Sequence, residues 1–208
     1  MHLYIMDIRE LEQIDRPEEL LRSDKRKEKA LRFRRREDRL RSIAAGILME
    51  TKVPDFFSKE LAFSDAGKPY LPGGVPFSLS HGGSFAVLAV SETQDQVGVD
   101  VEPLGQKKAV AEAVGYVMTP DEAAWAEESE ERLLRIWTRK ESLYKCYGTG
   151  FRDPRTLPEV LNDRVMAAGE ICFLKTDVNK NVVLSAAVLG NPQDISVHHV
   201  TGIVKSII

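Results

Sequence analysis

One arrangement occurs twice along this chain: a long segment with apolar residues at helical spacing, then three short segments that alternate like strands. In the first half Ser23 or Asp24 can N-cap a helix running to about Lys52, and Pro54 closes it. Phe33, Leu40, Ile43, Ala44, Ile47 and Leu48 fall on one face of it. Leu3 to Ile8 precedes it as a short strand, and Gly67 to Gly74 is turn-rich. Strands are then expected at Phe77–Ser80, Ser84–Val90 and Val97–Val101, joined by His81-Gly82-Gly83 and Gln94-Asp95-Gln96. Such short links favour an antiparallel meander. The second half has a helix over Glu131–Tyr147, stopped by Gly148 and Gly150, then strands at Glu170–Thr176, Val182–Leu189 and Ile195–Thr201. The order predicts an α+β fold of two similar lobes, residues 1–104 and 105–208, each a helix on a small, mostly antiparallel sheet, with a cleft between them.

Of the 208 residues 43% are hydrophobic and 29% charged, enough for a packed core and against wholesale disorder. The longest apolar run, Phe85–Val90, is far short of the ~20 residues a membrane span needs. No signal-peptide pattern opens the chain, and Cys146 and Cys172 have neither disulfide-scaffold nor metal-type spacing. A soluble, cytoplasmic protein is expected. The net charge of −3 argues against a generic polyanion binder. It hides two poles, however. Arg22–Arg41 holds eleven Lys/Arg against four acids, and Asp121–Glu131 holds six acids and no base. The basic run is either a solvated helix face or a surface for a phosphate-rich ligand or acidic partner.

Gly98-Val99-Asp100-Val101-Glu102 carries the sharpest chemical signal. On a strand Asp100 and Glu102 share one face while Val99 and Val101 point to the core. Two adjacent carboxylates repel unless a cation lies between them, and oxygen ligands suit Mg²⁺, or Mn²⁺. The alternative is an ordinary strand with a wet acidic face. Trp137, Glu141 and Lys145, spaced i, i+4, i+8, form one helix stripe. Either this is a surface Glu–Lys pair beneath a core Trp, or Glu141 is a third acid on the same cation and Lys145 neutralises a phosphate. His81, after Ser78 and Ser80, and Lys68 on the Gly/Pro turn could also donate to a phosphate. No Walker loop, dinucleotide fingerprint or zinc pattern is present.

Ser80-His81, Gly98-Val99-Asp100-Val101-Glu102 and Trp137-Thr138-Arg139-Lys140-Glu141-Ser142 occur in one order and spacing. Together they resemble the 4′-phosphopantetheinyl transferases, specifically the long, monomeric surfactin type. Lys25–Arg41 and Gly67-Lys68-Pro69 extend the resemblance over about residues 22–150. It implies a pseudo-twofold pair of lobes with coenzyme A in the cleft. It also implies Mg²⁺-dependent transfer of the 4′-phosphopantetheine arm to a serine of an apo carrier protein, with adenosine 3′,5′-bisphosphate as leaving group.

On this resemblance Asp100, Glu102 and Glu141 hold the metal, Glu141 or a water it orients takes the serine proton, and Lys145 binds the pyrophosphate. Lys68, Pro69, Ser80 and His81, with Asp100 and Lys145, line the coenzyme site, Lys68 and His81 contacting the adenosine end and its 3′-phosphate. Arg26, Lys29 and Arg41 grip the 3′-phosphate, and Trp137 packs the helix. Either Asp121 or Glu122, after Thr119-Pro120, could supply an accessory acid. Arg34 and Arg35 could steer an acidic carrier of fatty-acid, polyketide or nonribosomal-peptide assembly. Two rivals remain. A Mg²⁺-dependent pyrophosphohydrolase would use the same carboxylates, and a nucleic-acid binder using the basic helix would leave them unexplained.

Overall fold

The structure, a computed structural model, describes residues 1–105, 111–112, 114–148, 158–167, 169–179 and 181–201. Gly150, expected as a helix stop, lies outside them. The fold is α+β, with four α-helices among the described residues. One four-stranded sheet is built from β1 (His2–Asp7), β4 (Phe77–Gly82), β5 (Phe85–Val90) and β10 (Ser196–His199), in the order β10-β1-β5-β4. Its pairs are antiparallel except β1 with β10, which is parallel. The other, wholly antiparallel, is built from β6 (Val97–Pro103), β7 (Arg164–Ala167), β8 (Glu170–Asn179) and β9 (Val182–Leu189), in the order β6-β9-β8-β7. A two-stranded hairpin, β2 (Ala62–Phe63) with β3 (Pro69–Tyr70), sits in the turn-rich stretch.

The meander expected over residues 77–101 is not formed. β4 and β5 make the hairpin, but β6 leaves it and pairs with β9, Asp100 opposite Ser185. The reason is burial on both faces. Val97, Val99 and Val101 close a core with Leu184, Ala186 and Val188 of β9 and with Leu3, Val87 and Ala89 of the first sheet. The opposite faces of the sheets pack on helices. Leu40, Ile43, Ala44 and Ile47 cover Ala86 and Leu88, while Leu134, Leu143 and Cys146 pack with Val183 and Ala187. This explains why β5 and β9 read as nearly continuous apolar runs: strands covered on both faces do not alternate.

The single helix expected from residue 24 to 52 is two. Ser23 caps α1 (Asp24–Leu31), and after a break α2 spans Arg36–Lys52. Glu37 and Asp38 occupy the first turn of α2, where acids complement the helix dipole, whereas the Arg-rich break would set like charges along one helix. Phe33 therefore leaves the apolar face and stands 37% exposed. Two further helices follow, α3 (Pro120–Ala126) and α4 (Glu130–Tyr147), the latter ended by Gly148 in the left-handed conformation. Strand β7 and helix α3 were not anticipated from the pattern.

Candidate active site

β6 and α4 are locked face to face, antiparallel, and this places the carboxylates. A Cβ built on Gly98 would lie 1.8 Å from the Ser142 carbonyl oxygen and 2.5 Å from the Cys146 nitrogen, so only glycine permits the approach. Two residues on, Lys145 Nζ meets Asp100 Oδ1 at 2.5 Å. Two further on, the Trp137 indole donates to Glu102 Oε1 at 3.2 Å. The edge of the first sheet closes the other side of β6. Ser80 donates to Asp100 Oδ1 at 2.8 Å and accepts from Lys145 at 3.0 Å, and Ser78 Oγ accepts the Val99 N–H at 3.2 Å. Gly82 fits here for the same reason as Gly98, since its Cβ would meet the Val101 carbonyl at 2.2 Å.

A cleft of about 540 Å³ opens along this seam between α2 and α4. Arg26, Lys29, Pro69, Ser80, His81, Asp100, Glu102, Glu141 and Lys145 all line it, as does Trp137. Asp100 is 4% exposed, and its Oδ2 is buried without a hydrogen-bond partner. Burial, reinforced by Asp100, holds the Glu102 carboxyl above the usual range. Burial pushes Glu141 up to about 7, with Lys145 opposing and Asp100 and Glu102 adding to the rise. A desolvated wall of mutually repelling carboxylates with an orphaned oxygen fits a hard cation bound by oxygen. In this structure the three share a wall and do not close on a point: among the described residues, no three His, Cys, Asp or Glu side chains are already gathered to hold a metal ion.

The basic end of the cleft fits an anion. Arg26 is buried, donates to the Ser42 carbonyl at 3.3 Å, and has an Nε with no partner. Ser42 Oγ, also buried and unpartnered, lines the same wall. Partial burial and the neighbouring Arg26 lower the Lys29 pKa. Crowding by protein, with Arg41 and Lys145 nearby, holds the His81 imidazole below the usual histidine range.

Two expected ligand residues are engaged elsewhere. Lys68 does not line the cleft, although Gly67 and Pro69 do. Its ammonium is drawn into a cage of the Val97 carbonyl at 3.1 Å, the Cys146 carbonyl at 3.4 Å and Gln96 Oε1 at 3.4 Å, and burial lowers its pKa. With Ser64 donating to the Gly148 carbonyl at 3.2 Å, it fastens the β2–β3 hairpin to the end of α4. Arg41 is also outside, bound to the Gly83 carbonyl at 2.7 Å and Asp38 at 2.8 Å.

Thr138-Arg139-Lys140, between the cleft residues of α4, is structural. Thr138 meets Ser185 at 2.8 Å. Arg139 pairs with Asp163 and donates to the Val160 carbonyl at 2.7 Å and Thr176 at 2.8 Å. Lys140 forms a fully buried ion pair with Glu122 at 2.9 Å. Glu122 also completes the Thr119 capping box and accepts the Val160 N–H at 2.8 Å. The accessory-acid candidates are thus accounted for: Glu122 is committed to the fold, and neither it nor the exposed Asp121 lines the cleft. Lys140→Met, which strands the Glu122 charge in the interior, is expected to cost about 3–5 kcal/mol. Adding Glu122→Gln should restore only part of that loss, read as denaturation midpoints of the single and double variants, because the amide removes the stranded charge but keeps one acceptor oxygen for the two backbone N–H groups of Thr119 and Val160.

The sequence reading missed the cleft residues Ser42 and Phe63, and took Phe33 as a core position and Asp38 as part of the basic segment that carries the resemblance.

Residues 96–190 match the model of the 4′-phosphopantetheinyl transferase superfamily. A Salmonella typhimurium protein named 4′-phosphopantetheinyl transferase AcpT is 35% identical over an alignment covering 43% of this chain and 50% of that protein. A Bacillus subtilis 4′-phosphopantetheinyl transferase is 26% identical across 64% of this chain and 62% of its own length. The B. subtilis protein named 4′-phosphopantetheinyl transferase ffp is 26% identical across 89% of this chain and 90% of its own. The chain thus spans only half to three-fifths of the first two relatives, and nearly all of the third.

Proposed function

We propose that this chain, which matches the 4′-phosphopantetheinyl transferase superfamily over residues 96–190, moves the phosphopantetheine arm of coenzyme A onto a serine of an apo carrier protein. The observation that carries this reading is the shared cleft, which has Asp100, Glu102 and Glu141 beside Lys145, and Arg26 with Lys29 farther along. Carboxylates for a divalent cation and cations for phosphates are what a pyrophosphate-cleaving transfer needs.

The seryl oxygen attacks the phosphorus that bears the pantetheine arm. A new P–O bond forms, the anhydride P–O bond breaks, and its electron pair leaves with adenosine 3′,5′-bisphosphate. Glu141, with a pKa of about 7, is about half ionised at neutral pH and largely ionised at mildly alkaline pH, and its carboxylate accepts the seryl proton. Lys145, fixed by Asp100 and Ser80, offsets charge on the pyrophosphate oxygens. Arg26 and Lys29 hold the 3′-phosphate, and His81 lies along the same wall. Asp100, Glu102 and Glu141 would hold Mg²⁺, which when bound polarises the pyrophosphate.

The test is incubation with coenzyme A, Mg²⁺ and a purified apo carrier, read by intact mass. The expected result is a carrier that gains one phosphopantetheine arm at its serine, with release of adenosine 3′,5′-bisphosphate. A carrier left unmodified while coenzyme A is cleaved would make the chain a pyrophosphohydrolase instead.

Lys68→Ala separates a latch from a phosphate ligand. Since its ammonium caps backbone carbonyls, kcat/KM should fall about tenfold, equally for coenzyme A and for its form lacking the 3′-phosphate. A larger loss with coenzyme A would return Lys68 to the phosphate, and Arg26→Ala should show that larger loss.

A further inference from the structure

Two of the chain's four histidines meet at the edge of the first sheet. β1 and β10 run parallel with Tyr4 opposite His198, so His2 and Tyr4 share one sheet face with His198. His2 Nδ1 stands 3.1 Å from His198 Nε2. The Tyr4 ring stacks on that of His198 at 5.0 Å between centroids and lies 6.0 Å from that of His2, a wall for both. The other ring nitrogen of His2, Nε2, lies 3.3 Å from Glu92 Oε1. The second Glu92 oxygen pairs with the Met1 ammonium, which also donates to the Asp194 carbonyl at 2.9 Å. Glu92 is thereby held against His2. His198 is exposed and His2 half-buried, so an ion from solvent can reach both. None of these residues lines the cleft.

A carboxylate on one imidazole nitrogen fixes the tautomer, here with the proton on Nε2 of His2 and a lone pair on Nδ1. That lone pair faces His198 Nε2. Two imidazole nitrogens bound to one ion at about 2.0–2.1 Å stand about 2.9–3.4 Å apart, for right-angled to tetrahedral ligation. The observed 3.1 Å falls inside that range. We propose that His2 and His198 form a site for a divalent transition-metal ion of the zinc, nickel or copper class, with Glu92 orienting His2 and water filling the remaining positions. Imidazole nitrogen suits these ions, whereas Mg²⁺ takes oxygen, so the site is chemically separate from the carboxylate wall of the cleft. Among the described residues no third His, Cys, Asp or Glu completes the shell, which makes the site an open clip. The ion would join β10 to β1. β10 is four residues long, exposed throughout and paired on one side only, so a cross-link there secures an element that opens easily.

The first probe is Zn²⁺, titrated calorimetrically into the full chain. Any Zn²⁺ taken by the cleft carboxylates is common to all the chains compared, so the site is read as the difference between them. His2→Gln and His198→Gln should each weaken this binding at least tenfold, and Glu92→Gln about tenfold through the orientation of His2. His199→Gln should bind as the wild type does, since His199 lines a separate cavity on the opposite face of β10. Zn²⁺ should also slow amide exchange at Ser196 and Val200, which bond the Met1 and Ile5 carbonyls, in the wild type and not in His198→Gln. The second probe is Cu²⁺, for which electron spin echo envelope modulation counts bound imidazoles: two are expected in the wild type, and fewer in either histidine variant. Zn²⁺ binding and amide exchange unchanged in His2→Gln and His198→Gln overturn the site and leave a hydrogen bond between two imidazoles. A wild-type Cu²⁺ signal with a single imidazole overturns the shared ligation. The site does not rest on the transferase reading, and none of these readouts uses the carrier.

Discussion

Replacing Glu141 by glutamine is expected to slow carrier modification by about a thousandfold or more, because one change removes both the proton acceptor and a carboxylate of the cation wall. Coenzyme A binding should survive, since Arg26, Lys29 and His81 are untouched. The buried carboxyl, with a pKa of about 7, also fixes the direction of the pH effects. Wild-type turnover should climb with pH along a limb that lies below about 7 once a cation neighbours the carboxylate, and the residual activity of the variant should lack that limb.

Stability runs the opposite way. The folded pKa is raised above the unfolded value of 4.5, so the stability contributed by Glu141 is full below pH 4.5 and is lost as pH rises through about 7. Metal-free Glu141→Gln should therefore melt above the wild type at pH 8 and match it below pH 5. At 1.36 kcal/mol per pKa unit, less the relief that residual solvation gives a half-buried group, the gap should be about 2 kcal/mol. Melting curves of the two proteins from pH 4 to 9, beside transfer assays, check all three effects. Normal transfer in the variant would remove Glu141 from its role.

The largest structural effect is expected at Gly98. An alanine there would place a methyl inside van der Waals contact of two backbone atoms of α4, at 1.8 Å and 2.5 Å, and no side-chain rotation relieves that. Helix α4 would have to move off β6, carrying Glu141 and Lys145 away from Asp100. Gly98→Ala should cost about 4 kcal/mol, a fall in Tm of roughly 10 °C for a chain this size. Transfer by the protein that remains folded should fall as well. Gly115→Ala is the matched control, since a Cβ at Gly115 has no heavy atom within 4 Å. Equal melting of the two variants would mean that the β6–α4 contact does not set the site.

What the residues declared in advance is what depends on local spacing. Period-2 alternation put Asp100 and Glu102 on one face of β6, and the i, i+4, i+8 stripe put Trp137, Glu141 and Lys145 on one face of α4; both sets line the cleft. What stayed hidden depends on partners far along the chain. Lys140 looks like a surface cation until Glu122 meets it in the interior, and Thr138 acquires its role only from Ser185 on β9. Lys68 sits in a phosphate-binding context by sequence, yet the carbonyls that capture it come from residues 97 and 146. The same limit applies to β6. Its short link to β5 suggests a meander, but the choice of β9 as partner is made by a buried face of valines shared between two sheets. The helix break at residues 32–35 follows from charge, where no proline or glycine marks it.

We propose that Asp100, Glu102 and Glu141, drawn from one strand and one helix, serve a single divalent ion beside the pyrophosphate of coenzyme A. Electron paramagnetic resonance of Mn²⁺ bound to the chain with coenzyme A tests it most directly. The account predicts one Mn²⁺ per chain that shows phosphorus hyperfine coupling and is lost or weakened in Asp100→Asn, Glu102→Gln and Glu141→Gln alike. Wild-type Mn²⁺ spectra in all three variants, or a bound Mn²⁺ without phosphorus coupling, would contradict it.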